Sequence, residues 1–258
     1  MFTLNPLPPQ IDATLVQKLV RAEPATIGHF RDWGFMDAGI KAMQQDVRIA
    51  GTAVTVHQPG MDGTIIGYAL GQLRPGDILV VDRCGDMRYS GFGGLVAYAA
   101  KVAKVAGVIV DGVVTDIGEI RQHRVPVWCR GLSAVTTKRI GLAGTFCMPI
   151  SCGGVAVRPG DVIIADECGV VVLDPADAEA AADRAIAMQE AEAKSRARLD
   201  AGEKLPDISG ATKVLEEAMA KQSGKRLQKI SASKFSIVTI SGRPSPPAAQ
   251  AARDLSKT

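Results

Sequence analysis

Apolar positions recur along this chain at two periods, and the switching between them outlines alternating helices and strands. Ile11, Leu15, Leu19 and Val20 return at helical spacing, which predicts a helix over residues 11–22 with Pro24 just beyond its end. Over residues 47–57 the pattern becomes β-branched and alternating, as in a strand. Four more strands are predicted at 78–82, 108–111, 125–129 and 162–173, the last interrupted at Gly169. Between the first two of these four, the alanine-rich stretch 94–106 is long enough for a helix, so strand, helix and strand form a βαβ-like unit. Asp174 as N-cap and Pro175 as first residue then open a helix that runs to about residue 201, where Gly202 stops it. Beyond Pro206 the pattern weakens. It predicts an amphipathic helix over 207–222, a strand over 235–240, and a Pro/Ala/Ser-rich stretch at 242–258 that is mobile or laid on a partner.

One internal echo stands out. Arg74-Pro-Gly-Asp-Ile-Leu-Val-Val-Asp82 and Arg158-Pro-Gly-Asp-Val-Ile-Ile-Ala-Asp166 agree at five of nine positions. Pro-Gly suits a type II turn, with glycine at the position of positive φ, so each copy reads as a turn feeding a buried strand that ends on an aspartate. Duplication and independent arrival at the same turn chemistry both explain the match.

Length and composition narrow the picture. At 258 residues and 47% apolar content, one sizeable core with an appendage is expected, and global disorder is excluded. The net charge of +3 is unevenly spread: residues 201–258 hold ten basic and five acidic side chains, leaving 20 against 22 in the first 200. We therefore divide the chain into a domain at 1–205 and an extension at 206–258, the latter too poor in large apolar side chains for a core of its own. Aromatic residues make up only 4%, which argues against nucleic acid binding by base stacking. Five cysteines without CxxC or Cys/His spacing read as buried thiols in a reducing compartment, not as a disulfide framework or a structural zinc site. No basic leader precedes an apolar run, and no run approaches the roughly 18 residues that span a membrane. A cytoplasmic protein is expected.

Candidate chemistry concentrates in two segments. Gly107-Val-Ile-Val-Asp-Gly-Val-Val-Thr-Asp116 is a buried-type strand giving way to a turn with two carboxylates, Asp111 and Asp116. Ser90-Gly-Phe-Gly-Gly94 leads into the alanine-rich helix and offers backbone N–H groups to an anion. It is neither a Walker A loop nor a full GxGxxG fingerprint. More modest roles compete: Asp111 could cap the turn after its strand, Asp116 could N-cap a helix over 117–123, and Asp82 and Asp166 could be turn residues.

Taken together in this order, Gly51-Thr-Ala-Val-Thr55, Pro75-Gly-Asp-Ile-Leu-Val-Val-Asp82, the 107–116 segment, Val125-Pro-Val-Trp-Cys-Arg-Gly131, Ser151-Cys-Gly-Gly-Val155 and Arg158-Pro-Gly-Asp161 through Asp166-Glu-Cys-Gly-Val170 resemble the RraA-like family. That family includes the metal-dependent 4-hydroxy-4-methyl-2-oxoglutarate/4-carboxy-4-hydroxy-2-oxoadipate aldolases. The resemblance covers roughly residues 20–205. It implies a compact layered α/β sandwich, assembled as a homotrimer or homohexamer with sites between subunits, and a divalent metal, Mg²⁺ or Mn²⁺. The implied reaction is cleavage or decarboxylation of a small oxo or hydroxy acid. The aldolase signature is an aspartate, twenty intervening residues, then Arg-Asp; here Gly94 and Thr115 stand at its first two positions and Asp116 at its last.

The resemblance makes Asp116 the metal ligand, with Asp111 or Glu119 as helper. Thr115 cannot supply the signature arginine's charge, so Arg88, Arg83, Arg121 or Arg130 is expected to meet the substrate carboxylate, alongside the backbone of Gly93, Gly94 and Leu95. With no carboxylate at 94, His29 or Glu119 is expected to move protons. Two other functions suit the altered signature: a non-catalytic regulator that binds a protein partner, as in the family's ribonuclease-regulator branch, and a divergent enzyme with a bulkier or less charged substrate.

Overall fold

The computed structural model describes the backbone of residues 1–233 and side chains through residue 222. In chain order the elements are β1 (Phe2–Leu4), α1 (Ala13–Leu19), α2 (Pro24–Ile27), β2 (Lys41–Ala42), β3 (Ile49–His57), α3 (Thr64–Leu70), β4 (Asp77–Asp86), α4 (Gly94–Val102), β5 (Gly107–Val114) and α5 (Ile117–His123). They continue as β6 (Val127–Leu132), β7 (Gly144–Phe146), β8 (Ile150–Cys152), β9 (Val155–Val157), β10 (Val162–Asp166), β11 (Gly169–Leu173), α6 (Pro175–Asp200), α7 (Leu205–Ser209) and α8 (Ala211–Ser233). Two compact units divide the chain, Met1–Lys194 and Ser195–Thr258. This division falls inside α6, ahead of the boundary expected at 205.

In the first unit β3, β4, β5 and β6 run parallel, joined by α3, α4 and α5 as crossovers. The register explains why their sequences are nearly continuous apolar runs, because a parallel sheet is covered on both faces. Val54, Leu79, Val108 and Val127 lie side by side and face the crossover helices, meeting Ile65, Ile66, Ala97, Ala100 and Ile120. One residue along, Val80, Ile109 and Trp128 face the other way, onto Met36, Ile40 and the β8–β9 hairpin. Trp128 is wholly buried, and its indole N–H donates to the Asp166 carbonyl at 2.8 Å, so no polar atom is stranded.

The predicted strand over 162–173 is a hairpin, β10 against β11, with the break at Asp166↔Gly169. One face joins the Trp128 core; Val162, Ile164, Val171 and Leu173 on the other meet α1, α2 and α6. In α6 the residues at this contact are Ala178, Ala181, Ala182 and Ala185, a helical-period stripe of small side chains that lets the helix sit close. Asp174 caps its start by accepting the Ala176 N–H at 2.9 Å.

Both copies of the echo form the same turn. Gly76 and Gly160 take φ of +84° and +95°, and the aspartates that follow, Asp77 and Asp161, accept from the backbone N–H of Arg74 and Arg158. The strand-end aspartates also match: Asp82 accepts from the N–H of Cys84, and Asp166 from that of Cys168. These turns place Cys84 and Cys168 at the surface, which corrects the expectation that all five thiols are buried; Cys129, Cys147 and Cys152 are. Burial pushes the Cys129 and Cys147 thiols up to about 11, too high for nucleophilic work near neutrality.

In the second unit the helix expected over 207–222 is divided at Gly210, φ +72°, into α7 and α8, and Val214, Leu215 and Met219 on α8 are exposed. The strand predicted at 235–240 and the 242–258 segment lie outside the described residues. No helix among the described residues is long and apolar enough to cross a membrane.

Candidate functional site

The loops at the carboxyl ends of β4 and β5 form one wall of a cleft of about 1330 Å³. Residues 90–94, the faces of α3 and α4, Thr115, Asp116 and the 136–139 segment line it. Such a place, outside the carboxyl ends of parallel strands, is where open α/β sheets bind ligands.

Asp116 stands at the N-cap position of α5 with φ of 53°, yet its side chain caps nothing there. Its carboxylate turns instead to the neighbouring helix and accepts the Gly94 N–H at 2.9 Å. The left-handed backbone makes this possible, because an extended residue would aim the side chain back over α5. Gly93 is required by the same contact: a Cβ there would lie 2.6 Å from the Thr115 methyl and 2.8 Å from the Asp116 carboxylate. A Cβ on Gly94 would lie 2.2 Å from a carboxylate oxygen of Glu119. Glu119 thus occupies the space that a side chain at 94 would take, and two carboxylates flank the Gly93–Gly94 peptide. This cradle of hard oxygens, open to solvent, suits a divalent ion such as Mg²⁺.

The other expected site residues divide. Thr115 lines the cleft, and its hydroxyl leans toward Asp116 at 3.4 Å. Gly93, Gly94 and Leu95 line it too, but the Gly94 N–H is already given to Asp116. The first-turn N–H groups of Leu95 and Val96 remain for a ligand, since no preceding turn of helix can accept them. Asp111 does not join Asp116. It lies on the Trp128 face of the sheet, where its oxygens accept from the Arg130 side chain and from the Gly153 N–H. His29 is held on the loop after α2, its N–H bonded to the Thr26 carbonyl, and is not part of the cleft wall.

None of the four expected arginines reaches the cleft. Arg88 lies over the Tyr89 ring. Arg83 is buried and donates to Asp86 and to the carbonyls of Gln58 and Gly60. Arg121 donates to the Met43 carbonyl, and Arg130 is shared by Asp111 and Asp37.

The positive charge comes from residues that sequence reasoning passed over, Lys138 and Arg139, which line the same cleft as Asp116. Asp62 places them. This buried carboxylate collects the N–H groups of Ile140, Leu142 and Ala143 together with the N–H and hydroxyl of Thr64. Burial alone would raise its pKa, but these bonds outweigh it and hold the carboxyl well below the usual range. Asp62 therefore ties the start of α3 to the segment carrying the two cations. A Thr-Thr-Lys-Arg run in a loop gives no local sign of such an arrangement. Behind the wall, the buried Gln58 amide and the Arg83 Nε have no hydrogen-bond partner among the described residues, which leaves polar atoms beside Gly91 for a ligand or water.

A second polar group lies on the opposite face of the sheet. His57, at the end of β3, sits abreast of Asp82 on β4 and Asp111 on β5. His57 Nδ1 lies 3.1 Å from Asp82, and the exposed Cys84 follows immediately.

Comparison with known proteins agrees with this architecture. The RraA-like family, described as Aldolase/RraA, matches residues 18–172. A protein of Halalkalibacterium halodurans named "Putative 4-hydroxy-4-methyl-2-oxoglutarate aldolase" is 35% identical over 162 residues, 62% of this chain and 77% of that protein. The uncharacterized protein MJ0644 of Methanocaldococcus jannaschii is 31% identical over 174 residues, 66% of this chain and 82% of its own. Among solved structures, Streptomyces coelicolor RraAS2, described as an unusual member of the RNase ES inhibitor RraA protein family, superposes with a TM-score of 0.66 at 28% identity, covering 72% of this chain and 98% of that one. With the layered α/β fold and the ordered motifs on its strands and turns, this chain belongs to the RraA-like family.

Proposed function

We propose that this chain is a divalent-metal-dependent lyase that cleaves or decarboxylates a small 2-oxo acid in the Asp116 cleft. The observation that carries the proposal is the Asp116 carboxylate, turned from its own helix into a cleft that Lys138 and Arg139 also line. Asp116 would hold the metal, with water at most of its other positions, and Glu119 beside Gly94 would stay free as a base. Its role when bound is that of a Lewis acid toward charge developing on the 2-oxo oxygen.

The chain's own residues supply the rest. Lys138 or Arg139 takes the place of the arginine missing at Thr115 and binds the substrate carboxylate, with the Leu95 and Val96 N–H groups as further donors. Glu119 accepts the proton of a 4-hydroxyl as the carbon–carbon bond breaks, and the bonding electrons move toward the 2-oxo group. Returned to carbon 3, that proton completes pyruvate. The name carried by the Halalkalibacterium relative supports an aldolase-type enzyme.

Two further readings accompany this one. Leu95, Tyr98 and Val102 form an exposed apolar stripe on α4 at the cleft rim, 74%, 49% and 66% accessible, which suits contact with a second copy in a trimer or hexamer. Free thiols and the absence of any spanning helix among the described residues fit a cytoplasmic protein. The test is pyruvate release from oxaloacetate and from 4-hydroxy-2-oxo acids, with and without Mg²⁺. Metal-stimulated turnover that Asp116→Ala abolishes supports the proposal. No turnover of any such acid, together with recovery of a stable protein partner, would favour the regulator reading instead.

A further inference from the structure

We propose that His57, Asp82 and Cys84 form a second cation site, separate from the Asp116 cleft and selective for a transition-metal ion of the Zn²⁺ type. One ligand atom from each of the three lies within 4.8 Å of the others. Their elements fix this proximity. His57 and Asp82 are directly paired across β3 and β4, so both side chains leave the sheet on one face, and Cys84 follows where β4 bulges between Asp82 and Asp86. That face is the one opposite α3, α4 and α5, whereas Asp116 sits beside α4.

The electrostatics favour a cation. Asp82 is 8% exposed, and among the described residues His57 is its sole ion-pair partner, a group that carries charge only when protonated. Neighbouring Asp111 has Arg130, and Arg83 is turned away to Asp86, so neither arginine serves Asp82. The carboxylate is already oriented. One oxygen accepts the Cys84 N–H at 2.7 Å, and the other faces the imidazole at 3.1 Å. Cys84 is held at φ of 53°, a conformation uncommon for a side-chain-bearing residue.

The donor set decides the class of ion. One imidazole nitrogen, one carboxylate oxygen and one thiol sulfur match Zn²⁺, Co²⁺ or a similar borderline ion, while Mg²⁺ prefers oxygen alone. Three protein ligands with His57 partly exposed and Cys84 exposed leave a fourth position to water, as in sites that exchange ligands, not in closed structural sites.

Cobalt titration of the full-length chain tests this, in a Cys168→Ser background that removes the other exposed thiol. The expected result is a thiolate-to-cobalt absorption band that saturates at one equivalent and is displaced by Zn²⁺. Cys84→Ser should abolish the band, and His57→Ala should weaken binding by about tenfold or more. Asp116→Ala should leave it unchanged, which keeps this result independent of the lyase proposal. As a second readout on the unsubstituted chain, Zn²⁺ should protect Cys84 from alkylation, and His57→Ala should remove the protection. No cobalt band, a band that survives Cys84→Ser, or equal alkylation with and without Zn²⁺ would overturn the site.

Discussion

Single side chains carry most of the chemistry proposed for the cleft, and their placement varies in how far it could be read from the chain. Asp116 was legible through the resemblance, since it fills the last position of the aldolase signature; the turn read at Asp111 and Gly112 is instead part of β5, which runs on to Val114. Glu119 was legible only as a nearby acid. That it fills the space above Gly94 depends on α4 and α5 lying side by side. Lys138 and Arg139 were not legible, because their position is set by hydrogen bonds to a residue 78 and 80 positions away from Ile140 and Leu142. If these cations bind the substrate carboxylate, Lys138→Ala or Arg139→Ala should raise KM about ten- to a hundredfold with kcat little changed, the loss expected for one charged hydrogen bond. Unchanged KM in both variants and in their double would remove them from the site. Gly93→Ala should cost about a hundredfold in kcat/KM, since its methyl pushes directly on Thr115 and Asp116. Retained activity would show that the reaction does not depend on the Asp116 geometry.

Among the elements, strands were easier to read than the segments that hold them. The parallel strands announce themselves through continuous apolar runs, and the two Pro-Gly turns through their φ requirement, which Gly76 and Gly160 meet. The β1, β2, β7, β8 and β9 strands escaped because each is two or three residues long and owes its pairing to tertiary context. Asp111 was misplaced for a similar reason: the strand's alternation sends it to the Trp128 face, where Arg130 and Gly153 engage it. The join between α3 and the 138–143 segment rests on Asp62, and it has a pH signature. Its folded carboxyl is held below the ordinary range, so the stability it gives is complete above about pH 4 and is lost as pH falls through the lower folded value. The difference in melting temperature between the native chain and Asp62→Asn should therefore shrink between pH 6 and pH 3. A difference that widens on acidification would contradict this role.

For the whole molecule, the uneven charge noted at the outset has a structural counterpart. The family match ends at residue 172, and the basic excess lies beyond residue 200. We propose contact between copies, and not binding of nucleic acid, as the role of this extension, on the strength of the exposed Val214, Leu215 and Met219 of α8. Deleting residues 207–258 should change the assembly measured by size-exclusion chromatography with light scattering. An unchanged mass per assembly, after allowance for the missing segment, would rule that role out.

The account as a whole turns on Asp116. The most direct measurement is the steady-state rate of pyruvate formation from oxaloacetate, or from a 4-hydroxy-2-oxo acid, by the native chain and by Asp116→Ala, each with Mg²⁺ and with chelator. The account predicts turnover in the native chain that needs the metal, and a rate for Asp116→Ala indistinguishable from the uncatalysed reaction while the variant keeps its fold and melting temperature. Equal turnover by the two proteins, or turnover indifferent to chelation, would contradict it.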